Sequence, residues 1–225
     1  MNRRESLKAG ASVFAGLTLL TATGCSEQSA AENDCLETIR TRRSVRQFKS
    51  DPVPYEHLEA IIDAARMAPT SGNQQPWKFI IIREKQKIEA IKKACIEHAA
   101  VRLKEKQSFS DEELAKELKD FDDRYSKGYF SAPAFIVVLT DGKSKYPSYN
   151  HHDGPLAAGY LLLAAKAMGY GTVYITDAIP ESATQKVLNI PDQYTRVCVT
   201  PVGVPVEWPE KEKKELSEFI INESF

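Results

Sequence analysis

The sequence has no surplus of charge of either sign: 30 Lys and Arg stand against 31 Asp and Glu, a net charge of -1. That balance removes the basic face a nucleic-acid binder needs and the acidic block of a solvating tail, leaving a small molecule as the expected partner. Cysteine is scarce, with 4 residues and no C-x-x-C or Cys/His cluster, so neither structural zinc nor a disulfide scaffold is expected. There is no G-x-G-x-x-G turn after a strand, which argues against a standard dinucleotide-binding Rossmann unit. Internal repeats are absent too. At 225 residues, 42% hydrophobic and 27% charged, the chain has the proportions of one enzyme-sized folded domain rather than a disordered segment.

Long hydrophobic runs are also missing, and the longest is informative. Arg3, Arg4 and Lys8 precede an uncharged stretch from Ala9 to Gly24, 16 residues, that ends at Cys25. This falls short of the roughly 20 residues that span a bilayer as a helix and suits a cleaved export segment. Residues 2–8 resemble a twin-arginine translocation signal, with Ser6 in place of the usual Phe. Ala22-Thr23-Gly24-Cys25 resembles a lipoprotein cleavage box, with Ala22 in place of Leu. The domain reading is therefore an export signal over residues 1–24, a small polar tether over 25–33 attached through lipid at Cys25, and a folded domain over 34–225. Without Arg3, Arg4, Glu5 and Lys8 the count becomes 27 minus 30, near -3, and the partner argument stands.

Periodicity predicts helices over Asp34–Thr41 with Asp34 as N-cap, Tyr55–Met67, Gln86–Lys106, a capping-box helix from Ser110 to about Tyr125, Glu181–Leu188, and a charged terminal helix over Lys213–Ile221. Asp153-Gly154-Pro155 is expected to start a helix over Leu156–Met168 that is apolar on nearly every face and hence enclosed on all sides. Strands are expected over Lys78–Ile82, Ala134–Thr140, Thr172–Thr176 and Val197–Val204. Such an order implies a sheet covered by helices. Cys95 and Cys198 fall inside these elements and read as small buried hydrophobes. His151-His152-Asp153 could suggest a metal, but adjacent His side chains on a helix are expected to point apart and Asp153 reads as the N-cap.

Two segments carry chemistry. Arg42-Arg43-Ser44-Val45-Arg46 sets three guanidiniums and a hydroxyl within five residues, which suits a phosphate dianion; a solvated basic turn is the other reading that composition allows. Ala68-Pro69-Thr70-Ser71-Gly72-Asn73-Gln74-Gln75-Pro76-Trp77 is an irregular loop fixed by two prolines and a glycine, whose neutral donors and acceptors suit the edge of a heteroaromatic ring, or, for Thr70, Ser71 and Asn73, simply their own backbone.

Together, R-R-S-V-R-Q-F at residues 42–48 and A-P-T-S-G-N-Q-Q-P-W-K-F at residues 68–79 resemble the FMN-dependent nitroreductase superfamily, which includes iodotyrosine deiodinases. The resemblance continues through residues 169–176, Ile190-Pro191 and Pro201–Pro205. It implies a homodimeric α+β fold, with a central mixed sheet covered by helices. Arg42, Arg43, Ser44 and Arg46 would hold the FMN phosphate and ribityl chain, joined by Lys211 and Lys213, with Lys214 the competing choice. Pro69, Thr70, Ser71 and Asn73 would reach the flavin ring of the opposite subunit, and Tyr174, Ile175, Thr176 and Asp177 would bring a backbone N–H to flavin N5. The implied activity is ping-pong electron transfer to a small planar acceptor, a nitroaromatic or quinone, from NAD(P)H or a membrane-linked donor. No protein side chain is implied as a catalytic acid, base or nucleophile, and no metal. Reductive aromatic dehalogenation, with Lys104–Lys127 as a lid, and a non-enzymatic lipid-anchored electron relay are the alternatives. Some relatives place Asn and Lys flavin contacts where this chain has Tyr125 and Gly128.

Overall fold

The computed structural model describes residues 34–106 and 109–224. The predicted export signal, Cys25 attachment point and tether lie outside the described residues. The chain divides into two units, Met1–Glu37 and Thr38–Phe225, and apart from residues 34–37 the account below concerns the second.

The sheet is organised around one strand whose residues from Ala134 to Leu139 are apolar without interruption. Strand β2 (Ala134–Asp141) is buried from Ala134 to Thr140. A continuous apolar run of this kind needs cover on both faces, because successive side chains point to opposite sides. Phe135, Val137 and Leu139 face one core with Ile88, Ile91 and Cys95 of helix α3 (Lys85–Lys106) and Ala183 of α6 (Glu181–Leu188). Ala134, Ile136 and Val138 face the other core. There they meet Leu58, Ile61 and Ala65 of α2 (Tyr55–Ala65) and Ala158, Leu161 and Ala165 of α5 (Asn150–Ala167). The domain is therefore a sheet between two helical layers.

The remaining strands are β1 (Trp77–Ile82), β3 (Gly171–Thr172) and β4 (Tyr194–Gly203), in the spatial order β1-β2-β4-β3 with antiparallel neighbours. A parallel bridge between Ser44 and Thr172 makes the sheet mixed. Residues 34–41 form a helix, α1, that includes Asp34 instead of beginning after it. Helix α4 (Asp111–Lys127) has the expected capping box: Ser110 accepts from the Glu113 N–H, and Glu113 accepts from the Ser110 N–H. Among the described residues no helix is long and apolar enough to cross a membrane.

Several expectations need correction. Residues 213–221 are not helical beyond a short 3-10 turn at Leu216–Glu218. Leu216, Phe219, Ile220 and Ile221 are all exposed, so within one chain no apolar face is buried to offset the cost of ordering so short a helix. Helix α5 begins at Asn150, and Pro155 lies inside it at the cost of one backbone hydrogen bond. It is not enclosed on all sides in the single chain, because Leu156, Tyr160 and Met168 remain exposed. Its inner face meets the sheet at Gly154, where a Cβ would lie 2.5 Å from Val197 Cγ2 and 2.9 Å from Thr140 Cγ2, too close for any larger residue. The His151 and His152 rings do not diverge; their centroids are 3.8 Å apart. β3 is only two residues long, and the chain leaves the ladder before Ile175 bridges back to Val199.

Candidate functional site

The arginine segment is pegged to the sheet by the residue between its polar members. Val45 is buried, its N–H donates to the Thr172 carbonyl at 2.9 Å, and its side chain occupies the space a Cβ on Gly171 would need. Ser44 and Arg46 consequently line a cavity of about 240 Å³, together with Gln47, Glu207 and Pro209. Arg43 and Arg46 bond neighbouring carbonyls, those of Arg40 and Arg42 for the first and of Ser44 for the second. Arg42 does not. Its guanidinium is half-buried, finds no acceptor among the described residues, and is held below its ordinary pKa by burial and then by the positive charge of Arg43. Like charges in a partly dry setting, with no carboxylate bonded to them among the described residues, are costly, and a bound anion would relieve that cost.

The bridge from Ser44 to Thr172 sets this segment beside β3, which leads directly into residues 174–177. Ile175 is buried and doubly bonded to Val199, whereas the backbone N–H groups of Thr176 and Asp177 meet no acceptor among the described residues. Tyr174 is partly exposed, and burial of its phenol raises its pKa. The Arg46 cluster and the 174–177 segment thus lie together at the β3 edge.

The loop at Pro69–Asn73 lies at the other edge, leading into β1. Three strand spacings separate the edges, on the order of 14 Å. Gly72, Asn73 and Gln75 all take left-handed backbone conformations, with φ of 57°, 55° and 48°. Thr70 Oγ1 accepts from the Gln75 N–H and Asn73 Oδ1 accepts from Gln75 Nε2, so these two side chains satisfy the loop itself. Ser71 and Gln74 are instead tied to Asp153, which was read as an N-cap and is in fact a buried carboxylate inside α5.

Lys211 and Lys213 lie in the exposed tail and make no hydrogen bond or ion pair among the described residues, while Lys214 pairs with Glu218 at 3.1 Å. The structure brings the tail to the cavity at Glu207 and Pro209 and does not bond either lysine to the arginine segment. Cys95 and Cys198 are free and buried, and burial pushes both thiols up to about 12, so neither is a thiolate nucleophile near neutrality.

One residue escaped the sequence reading. Between Val138 and Leu139 the β2–β4 register shifts, leaving Val197 as the extra residue of a bulge. The bulge returns Arg196 to the face of Val199, where its guanidinium donates to the carbonyls of Thr176 (2.6 Å) and Ile179 (2.7 Å) and to Thr184 Oγ1 (3.3 Å). An arginine inside a run of β-branched residues, Thr195-Arg196-Val197-Cys198-Val199, was the available signal.

Residues 39–204 match the nitroreductase family. The chain belongs to the nitroreductase family. Membership makes it an FMN-dependent oxidoreductase. An iodotyrosine deiodinase of Haliscomenobacter hydrossis is 30% identical over 191 residues, covering 77% of this chain and 82% of that protein. A Methanothermobacter thermautotrophicus protein provisionally named NADH dehydrogenase/NAD(P)H nitroreductase is 29% identical over 181 residues, covering 78% and 80%. Among solved structures, an oxidized iodotyrosine deiodinase bound to FMN and 3-iodo-L-tyrosine superposes with a TM-score of 0.66 at 25% identity, covering 85% of this chain and 99% of the other. A Parabacteroides distasonis protein with the same provisional name as the Methanothermobacter one gives 0.64 at 26% identity, covering 86% and 99%.

The residues fit FMN. A half-buried guanidinium without an acceptor among the described residues suits its phosphate, and the N–H groups of Thr176 and Asp177, likewise without one, suit a ring nitrogen.

Proposed function

We propose that this protein reduces small planar acceptors, nitroaromatics and quinones, with FMN held across a homodimer. The observation that carries the reading is the Ser44–Thr172 bridge, which joins the anion-binding arginine segment to the strand leading into Tyr174–Asp177. Arg42, Arg43, Ser44 and Arg46 hold the phosphate and ribityl chain. The N–H groups at Thr176 and Asp177 point donors at the pyrazine edge, where reduction raises electron density, and Arg196 keeps that segment in place through the Thr176 carbonyl. FMN bound there supplies the electron-transfer chemistry. The test is the absorption spectrum of the purified domain with the released flavin identified, followed by turnover of a nitroaromatic. Parallel lines in double-reciprocal plots are expected from two half-reactions. A colourless protein that takes up no added FMN, or a loaded one that reduces no acceptor and merely exchanges electrons, sinks the reading.

A cavity of about 420 Å³ between α3, α4 and residues 177–180 favours a second reading. Phe121 and Tyr125 line it together with Arg102, Arg124, Glu117 and Asp177, offering an aromatic wall and charges of both signs. That suits a zwitterionic aromatic acceptor and reductive dehalogenation. Release of iodide from 3-iodo-L-tyrosine in preference to nitroaromatic reduction decides for it.

The dimer is argued from geometry. The Pro69–Asn73 loop and the arginine segment occupy opposite sheet edges, an arrangement that suits a flavin held by the arginine segment of one chain and met by the loop of a second. A second copy would also cover Leu156 and Tyr160 of α5 and the apolar tail. We expect an Asn73→Ala chain mixed with an Arg42→Ala chain to form hybrids containing a class of tight FMN sites that neither parent has. Titrations showing only the two parental affinities, or sedimentation of the loaded protein as a monomer, would remove the shared site.

The protein is further proposed to be exported folded and FMN-loaded and anchored at Cys25, with a membrane-linked donor favoured over NAD(P)H. Replacing Arg3 and Arg4 by Lys should trap precursor in the cytosol, and Cys25→Ala should release protein from membranes. Cytosolic wild-type protein turning over rapidly with NADPH would contradict both.

A further inference from the structure

Among the described residues Asp153 is the charged group most deeply enclosed, 2% exposed, yet no Lys, Arg or His there pairs with it. Its donors are neutral and come from the loop at residues 71–74. Oδ1 accepts from the Ser71 N–H at 3.1 Å, and Oδ2 accepts from Gln74 Nε2 at 2.6 Å. Gln74 is gripped at both ends of its carboxamide. Nε2 also donates to the Tyr146 carbonyl at 3.0 Å, and Oε1 accepts from the Tyr146 N–H at 2.6 Å. Asn150 closes the network by donating to the Asp141 carbonyl at 2.8 Å and accepting from Ser144 at 3.0 Å.

Burying an unpaired carboxylate costs stability, and a loop that needed only closure could use an uncharged acceptor. This loop needs more. Gly72, Asn73 and Gln75 are all left-handed, a conformation that side-chain-bearing residues keep only when their surroundings over-determine it. Tyr146 adds to the constraint, because a Cβ on Gly72 would lie 2.6 Å from its Cε2. Charge-assisted hydrogen bonds are roughly twice as strong as neutral ones, which suits them to holding a strained backbone.

We propose that Asp153 and Gln74 are positioning residues: the buried carboxylate on α5, acting through the Gln74 carboxamide and the Ser71 N–H, fixes the loop at residues 69–75 in the geometry that meets the flavin ring of the partner subunit. This rests on the FMN reading above. Asp153 therefore acts on the flavin at a distance, without touching it, and couples the start of α5 to the ring environment of the other site.

The experiment uses the full chain loaded with FMN and compares Asp153→Asn, Gln74→Glu and the double variant. Asp153→Asn sets an amide against the Gln74 amide, and Gln74→Glu sets two carboxylates against each other. Each should raise the FMN dissociation constant about tenfold. Each should also alter the visible circular dichroism and midpoint potential of the flavin that remains bound at saturation. The double variant rebuilds the donor–acceptor pair in the reverse direction and should recover part of the affinity, incompletely because the Tyr146 carbonyl loses its donor. Amide exchange at Ser71 and Asn73 in the flavin-free protein should accelerate in the single variants. A lower melting temperature with unchanged dichroism, unchanged potential and no recovery in the double variant overturns the positioning role. Wild-type protein that binds no FMN overturns the reading beneath it. Wild-type protein that binds FMN, with single variants indistinguishable from it, overturns this inference alone.

Discussion

Replacing Arg42 with alanine is expected to weaken FMN binding roughly 10- to 150-fold, the equivalent of a charge-assisted contact of about 1.5–3 kcal/mol. The sign of a second effect separates this from general damage. In the flavin-free protein Arg42 is half-buried, without an acceptor among the described residues, and lies in the field of Arg43, both of which hold its pKa down. Its side chain is thus unfavourable to the empty fold, and Arg42→Ala should leave the flavin-free melting temperature unchanged or raise it. Saturating FMN should then stabilise the variant less than the wild type, because ligand stabilisation grows with the logarithm of concentration over dissociation constant. Isothermal titration and thermal unfolding with and without FMN measure both quantities. Unchanged affinity would show that the arginine segment is a solvated basic turn, and an equal loss of stability in the empty and loaded forms would confine Arg42 to supporting the fold.

How much of this was legible depends on the range over which each constraint acts. β2 could be read because burial on both faces writes an apolar run into contiguous residues. α4 could be read because its capping box is a local exchange of hydrogen bonds between Ser110 and Glu113, and α6 matched the span Glu181–Leu188. The arginine segment was visible as a composition, but its peg, Val45 against Gly171, joins residues far apart in sequence. Asp153 was misread for the same reason. Before Gly-Pro it has the local signature of a helix start, while its real partners, Ser71 and Gln74, lie about eighty positions earlier. The tail failed in the opposite way: its periodicity is that of a helix, yet a single chain buries none of Leu216, Phe219 and Ile220 to stabilise one. Arg196 was overlooked because strand alternation assigns it to the other face, and only the bulge at Val197 reverses that assignment.

Arg196→Met should be the most destabilising single change in the neighbourhood of the site, by about 2–3 kcal/mol. The methionine fills most of the arginine's stem volume, so the loss is chiefly polar: the carbonyls of Thr176 and Ile179 and the Thr184 hydroxyl lose a shared donor. Burial already lowers the Arg196 pKa, with Glu181 opposing that effect, and Glu181 Oε1 also accepts from the Arg196 N–H at 3.2 Å. The substitution therefore removes a favourable neighbour of Glu181 as well. For a domain of this size the loss should appear as a fall of about 4–12 °C in melting temperature and a lower urea midpoint at unchanged slope. Arg196→Lys keeps the charge and cannot span three acceptors with one ammonium, so it should recover only part of the stability. The link to function lies in Thr176, whose carbonyl Arg196 holds and whose N–H is the donor proposed above for the flavin edge. Both variants should consequently bind FMN more weakly than their stability loss alone accounts for, measured well below their melting temperatures. A variant that melts early but binds FMN like the wild type would confine Arg196 to a structural role, and one that melts like the wild type would mean that these carbonyls find other donors when the guanidinium is gone.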